Sequence, residues 1–357
     1  MKAAFIIGAR PQFVKFSPLI KKVGKKFKHI IIHTGQHYDK NMSPVFFKEL
    51  GIPQPTYNLG IGSRSELNQL GDMIVKIGEV LEKEKCTVVV VFGDTTSTLA
   101  GALAAVKLKI AVAHIEAGMR SYTEMPEETN RVLTDHISEY LFCSTQNSAD
   151  NLKKENIKKN IYVVGDLMCD NLLEFLKNGH KSKIMELLRL QKEEYYLLTV
   201  HRADNTDNLK NLNNILTACN SVKNKVVFPI HPRTRKILTA NGRDLREYEN
   251  IEFIDPIGYI DMVELLKNAK KVLTDSGGLQ KEAYMLGIPC ITLRDETEWT
   301  ELVDSGWNIL VGAKCEKIKK AALSFNPKTK RKNFYGSGRA SEEISRILEA
   351  IVKKRTK

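Results

Sequence analysis

The sequence predicts an α/β protein of two parallel sheets facing each other across a central cleft, and three observations carry that prediction. Short continuous Val/Ile runs bounded by turn residues recur along the chain, as strands buried on both faces require. Amphipathic helical stretches alternate with these runs, the pattern of parallel sheets with helices on both faces. The length of 357 residues exceeds one ordinary domain and suits two.

The first series of runs is Ala3–Ile7, Ile30–Ile32, Val88–Phe92, Ile110–Ile115 and Ile161–Val164. The second is Tyr196–Val200, Lys225–Ile230, Ile251–Ile254, Lys271–Leu273, Cys290–Leu293 and Ile309–Val311. Helical patterns lie between them, such as Leu209–Ser221 and Ile260–Ala269. The first domain is expected over residues 1–168 and the second over 169–340, entered through the Lys- and Leu-rich stretch Cys169–Gln191. An amphipathic last helix, within 341–357, is expected to pack back on the first domain.

Composition narrows the function classes. Apolar residues make up 42%, enough for two cores. No run of eighteen apolar residues occurs, so no membrane span is expected. The opening MKAAFIIGARPQ has too short an apolar run for a signal peptide, and the cytoplasm is the expected compartment. Six cysteines without a C-x-x-C pair read as reduced thiols, with no metal centre or disulfide framework. The net charge of +13 comes from dispersed lysines without interleaved aromatics, which argues against nucleic acid and for a mild attraction toward anionic substrates.

In open parallel sheets, ligands bind beyond the carboxyl ends of strands, and chemistry-bearing residues cluster there. The first run ends in Gly8-Ala9-Arg10-Pro11-Gln12, where free N–H groups at a helix start beside Arg10 would make an anion site. Lys15 follows one turn later. No G-x-G-x-x-G fingerprint is present, so no nicotinamide cofactor is expected, nor any other. Asp94 follows Val88–Phe92, and the bland alternative for it is a helix N-cap. Glu116 ends an apolar run, a costly place for a carboxylate without a partner. Glu127 and Glu128 follow Pro126, where the helix dipole alone would favour them; Arg131 is one turn on. Three acids at the tips of neighbouring elements are hard to explain as separate accidents.

In the second half, His201 ends a strand, and His231-Pro232-Arg233-Thr234-Arg235 offers cations for an anion or for domain closure. Thr274-Asp275-Ser276-Gly277-Gly278 runs from a strand into a helix. Ser276, Gly277 and Gly278 suit a phosphate. Glu282, one turn into that helix, suits both hydroxyls of a ribose. Together they describe a nucleotide.

These residues resemble the non-hydrolysing UDP-N-acetylglucosamine 2-epimerases, over nearly the whole chain and in order. The matching motifs are GARPQFVK, HTGQH, GDTTSTLAGALAA, HIEAGMRS, PEETNR, HRADN, TDSGGLQKEA and LRDETEW. The resemblance implies two Rossmann-like domains arranged as in B-type glycosyltransferases, a UDP-sugar substrate, no cofactor and a homodimer. It implies Asp94, Glu116 and Glu127 as the acidic catalytic cluster and His201 as the group assisting UDP departure. It further implies Arg10 and Arg131 at the substrate, Lys15 near the sugar, Ser276, Gly277 and Gly278 on phosphate, and Glu282 on ribose. Many bacterial members carry Arg where this chain has Ala203, and a Gln where Asp39 and Lys40 follow HTGQH. The resemblance therefore does not extend to the second, activating substrate site of those members. Met125–Glu128, Glu298-Trp299 and Ser305–Asn308 look closer to relatives acting on UDP-2,3-diacetamido-2,3-dideoxyglucuronate, which stands as the alternative substrate.

Overall fold

The computed structural model describes every residue except Met1, 37–42, 63–64, 180–181 and 356–357. The chain divides into two compact units, one of Met1–Lys177 with Asn333–Lys357, the other of Asn178–Lys332.

The strands of the first unit are β1 (Lys2–Ile7), β2 (Lys28–His33), β3 (Tyr57–Asn58), β4 (Val88–Phe92), β5 (Ala111–Ile115), β6 (Tyr140–Cys143) and β7 (Ile161–Val163). They form one sheet in the order β3-β2-β1-β4-β5-β6-β7, every pair parallel. The second unit has β8 (Tyr195–Thr199), β9 (Lys225–Pro229), β10 (Ile251–Ile254), β11 (Lys271–Thr274), β12 (Cys290–Thr292) and β13 (Asn308–Leu310). Their order is β10-β9-β8-β11-β12-β13, again all parallel. Each sheet reverses its winding once, between β1 and β4 and between β8 and β11, which is the doubly wound Rossmann order.

Both faces of these strands are covered, as the unbroken apolar runs require. Along β8, Tyr196 and Leu198 enter one core cluster while Tyr195 and Leu197 enter another on the opposite face. Along β1, Ala4 and Ile6 pack against Met73, Ile77 and Ala100, while Phe5 meets Phe16 and Phe92 on the other side.

The break between units lies later than residue 168. The helix Leu167–Asn178 belongs to the first unit, because its Asp170 carboxylate accepts from the backbone N–H groups of Ala340 (3.1 Å) and Ser341 (2.6 Å). Asp170 thereby caps the last helix, Ala340–Lys354. That helix also meets the first helix of the unit, where Ser345 Oγ donates to Lys22 O at 3.1 Å. Residues 333–340, expected in the second domain, likewise lie in the first unit, with Asp166 N donating to Tyr335 O at 3.0 Å. Among the described residues, no helix is long and apolar enough to cross a membrane.

Candidate functional site

In the first unit the candidate residues gather at the winding reversal, beyond the carboxyl ends of β1, β4 and β5. Gly8 ends β1 where the chain must pass close to β2 and the helix after β4. A Cβ there would lie 1.9 Å from Thr34 Oγ1 and 2.5 Å from Ser97 Oγ. The expected free N–H groups at Gly8 and Ala9 are not free. Gln12 Oε1 accepts from both, at 2.7 and 2.9 Å, and Gln12 Nε2 donates to Phe92 O and Thr98 Oγ1. Gln12 thus locks the β1 turn to the end of β4. Arg10 is half-buried at the first turn of the helix Arg10–Val23.

Lys15, one turn further, is buried rather than solvated. Its Nζ donates to Glu116 Oε1 at 2.6 Å, with both side chains under 10% exposed. Gly93 makes room for this pair, since a Cβ there would sit 3.0 Å from Lys15 Nζ and 3.6 Å from Glu116 Oε1. Glu116 holds φ at +67°, a left-handed conformation rare outside glycine. Strain of that kind concentrates at functional sites.

Asp94 is half-buried and bonds the Arg131 guanidinium. It is not the N-cap of the next helix; Thr95 fills that role, accepting from Thr98 N at 3.3 Å. Asn130 Nδ2 donates to Asp94 O at 3.0 Å, so two residues of the helix Pro126–Ile137 grip the β4 turn. The two glutamates opening that helix part company. Glu128 is buried and accepts from Ser121 N, Ser121 Oγ and Tyr122 N at 2.8–3.1 Å, which ties down the preceding loop. Glu127 is half-buried, one helical turn before Arg131 on the same helix face.

Beneath these acids lies a buried charge network that sequence reasoning missed. Asp135 accepts from His114 Nδ1 at 2.7 Å, Arg120 Nη1 at 2.7 Å and Gly118 N at 3.0 Å. The other ring nitrogen of His114 donates to Gly93 O at 2.7 Å. Arg120 also binds Glu155 at 2.6 and 2.7 Å. Burial alone would push the Asp135 carboxyl up, but the charges and hydrogen bonds of His114 and Arg120 outweigh it and hold the group below the usual carboxylate range. The network joins the turns that carry Asp94 and Glu116.

In the second unit the candidates lie at the corresponding reversal, beyond β8 and β11. His201 follows β8 with 39% of its side chain exposed, its ring 5.5 Å from that of His231. Its backbone N–H and that of Arg202 donate to the Asp275 carboxylate at 3.0–3.2 Å. Ser276 N donates to Thr274 Oγ1 at 2.9 Å, so that N–H is already engaged. Gly277 has a role beyond the one expected of it: a Cβ would lie 2.2 Å from Glu298 Oε1, so this glycine admits the Glu298 carboxylate against the turn. Glu298 is held by Arg294 at 2.9 Å. Gly278 is the second residue of the helix Gly277–Leu286, and Glu282 lies within it, buried, accepting from the Tyr259 hydroxyl at 2.9 Å. Tyr259 carries no local signal of this pairing, since it sits 23 residues away on another helix. In the expected cationic cluster after β9, Arg233 pairs with Asp207 at 2.6 Å and Arg235 with Asp255 at 2.8 Å, both on the exposed surface. His37, Asp39 and Lys40 lie outside the described residues.

Comparison with known proteins agrees in one direction. The family model described as UDP-N-acetylglucosamine 2-epimerase matches residues 21–349. A Methanococcus maripaludis protein named UDP-N-acetylglucosamine 2-epimerase homolog is 52% identical, over 98% of this chain and 100% of its own. The Pseudomonas aeruginosa UDP-2,3-diacetamido-2,3-dideoxy-D-glucuronate 2-epimerase is 45% identical, over 98% and 100%. The crystal structure of Methanocaldococcus jannaschii UDP-GlcNAc 2-epimerase in complex with UDP-GlcNAc and UDP superposes with a TM-score of 0.93 at 47% identity, covering 98% of this chain and 99% of that one.

Proposed function

This chain belongs to the UDP-N-acetylglucosamine 2-epimerase family, and from that premise we propose that it inverts C2 of UDP-N-acetylglucosamine to give UDP-N-acetylmannosamine. The C2 hydrogen of such a sugar is not next to a carbonyl and is not acidic enough for direct removal. Departure of UDP comes first: the C1–O bond breaks with its electron pair leaving on the diphosphate, and positive charge grows at C1. A carboxylate then takes the C2 proton and C1=C2 forms, giving a 2-acetamidoglucal. Protonation of C2 on the opposite face and return of UDP to C1 complete the inversion.

One observation supports this reading above the others. Asp94 and Glu116 stand just past the paired ends of adjacent strands, Phe92 and Ile115, yet they meet different cations in different surroundings. Glu116 is buried against Lys15, whereas Asp94 is half-buried against Arg131. Two carboxylates at one sheet edge, each held by a different cation, offer two separate groups for removing and returning a proton on opposite faces. In this reading Asp94, Glu116 and Glu127 share the proton transfers. Lys15 and Arg131 orient the carboxylates at the sugar, and Arg10 meets the diphosphate. The second unit supplies UDP recognition: Ser276, Gly277 and Gly278 at phosphate, Glu282 at the ribose hydroxyls, and His201 at the departing diphosphate. The active species in this reading is a homodimer; sedimentation velocity tests it, and a monomer at assay concentration would overturn it.

The deciding experiment is incubation with UDP-N-acetylglucosamine in heavy water, followed by NMR. Deuterium at C2 with the UDP linkage retained is the expected result. Exchange only with UDP-2,3-diacetamido-2,3-dideoxyglucuronate would move the substrate to that sugar, the one named for the Pseudomonas relative. Release of free N-acetylmannosamine would make the enzyme a hydrolysing one.

A further inference from the structure

We propose that Asp275 is a positioning residue that fixes the His201 imidazole for the departure of UDP, an inference that rests on the reading of His201 given above. Asp275 is fully buried at the end of β11. Burying a carboxylate is costly unless donors surround it, and here the donors come from one place. His201 N (3.0 and 3.2 Å), Arg202 N (3.0 Å) and Asn205 Nδ2 (3.2 Å) all belong to the segment after β8. Asn205 Nδ2 in turn reaches Leu293 O at 2.9 Å. His201 Nδ1 lies 3.5 Å from Asp275 Oδ1.

Two consequences follow from that geometry. With Nδ1 the ring nitrogen on the carboxylate side, 3.5 Å away, the carboxylate favours a proton there, and in the doubly protonated ring Nε2 is the nitrogen that would donate to a diphosphate oxygen. This is how a buried acceptor selects one tautomer and one ring orientation. In addition, Asp275 is bonded in sequence to Ser276. A single side chain therefore ties the imidazole to the Ser276–Gly278 turn, across strands already paired at Thr199 and Thr274. The group that assists departure and the turn proposed to hold the phosphate are held in register by one carboxylate.

The test is a double-mutant cycle of Asp275→Asn and His201→Gln, read by C2 deuterium exchange and by UDP binding in calorimetry. Asp275→Asn is expected to lower kcat about ten- to a hundredfold while the Kd for UDP stays within about threefold. The double variant should be no slower than His201→Gln alone. Multiplying losses, or UDP affinity falling in step with kcat, would overturn the positioning role and leave Asp275 a structural hub. The tautomer needs no substitution: nitrogen-15 histidine NMR of the unaltered protein should show His201 with its neutral-form proton on Nδ1, and a dominant Nε2–H tautomer overturns the proposal even if Asp275→Asn fails to fold. If His201→Gln retains full turnover, the leaving-group reading falls and the proposal with it. If His201→Gln is slow but the cycle is additive, only the proposal falls.

Discussion

Replacing Gly93 by Ala perturbs the candidate acid site without removing a charged group. Gly93 holds φ at +63°, which costs an L-residue about 1–2 kcal/mol. The new Cβ would lie 3.0 Å from Lys15 Nζ, so Nζ must retreat by a few tenths of an ångström. It cannot retreat freely, because it donates to Glu116 Oε1 at 2.6 Å between two buried side chains. A charge-assisted hydrogen bond contributes about 1.5–3 kcal/mol, and stretching it forfeits roughly half. The sum is about 2–3 kcal/mol of stability, or a fall in Tm of about 5–10 °C for a unit of this size. Turnover should fall further than the folded fraction, by about ten- to a hundredfold, since small displacements of reacting groups are amplified in rate. Thermal unfolding and C2 deuterium exchange on the same samples separate the two effects. A folded Gly93→Ala protein exchanging at the wild-type rate would refute the reasoning, because the Lys15–Glu116 geometry would then be irrelevant to the chemistry.

Three further outcomes are expected. Lys15→Met should cost about 3–5 kcal/mol in urea unfolding, because it removes the cation 2.6 Å from a buried carboxylate; adding Glu116→Gln should recover about 2 kcal/mol, and strict additivity would show that the pair is not coupled. Asp135 and Glu155 are both held below the usual carboxylate range, Glu155 chiefly by its hydrogen bonds from Arg120. Their stabilisation is therefore complete above about pH 4–5 and drains away as pH falls through their lowered values, so the urea midpoint should drop on acidification, and Asp135→Asn should flatten that slope. Burial pushes the thiols of Cys86, Cys219 and Cys290 up to about 11, 12 and 12. Only Cys315, less buried than the other five, should react quickly with a thiol reagent at pH 8, the rest following unfolding; two or more fast thiols would contradict the packing.

Much of the fold was legible because buried parallel strands announce themselves as unbroken Val/Ile runs. Tyr140–Cys143 was missed, since four residues directly after a helix give too little periodicity to separate strand from helix end. The two-residue β3 escaped for the same reason. At the site, position after a strand was enough to nominate Asp94 and Glu116 in one unit and His201 in the other, because each doubly wound sheet gathers such positions at its own winding reversal. What local sequence could not reveal was partnership across the chain. Nothing near Gln12 indicates that it occupies the Gly8 and Ala9 N–H groups. Nothing in Glu127-Glu128 indicates that the second is spent on the Ser121–Tyr122 loop. His114 and Asp135 are 21 residues apart and read separately as a strand residue and a helix residue. Their partnership exists only once β5 and the helix Pro126–Ile137 are assembled.

The left-handed backbone at Glu116 bears on how this protein can be engineered. Among the described residues, eight that are not glycine hold positive φ: Lys85, Lys109, Glu116, Tyr122, Asn156, Asn160, Arg189 and Glu193. A thermostability library that installs glycine wherever φ is positive would relieve about 1–2 kcal/mol of backbone strain at each. Glycine at 116 removes the carboxylate along with the strain, leaves Lys15 buried without the counter-charge it has now, and in the proposed mechanism takes away a proton-transferring group. Selection for heat tolerance and selection for turnover would thus treat that codon differently from a surface position such as Glu193.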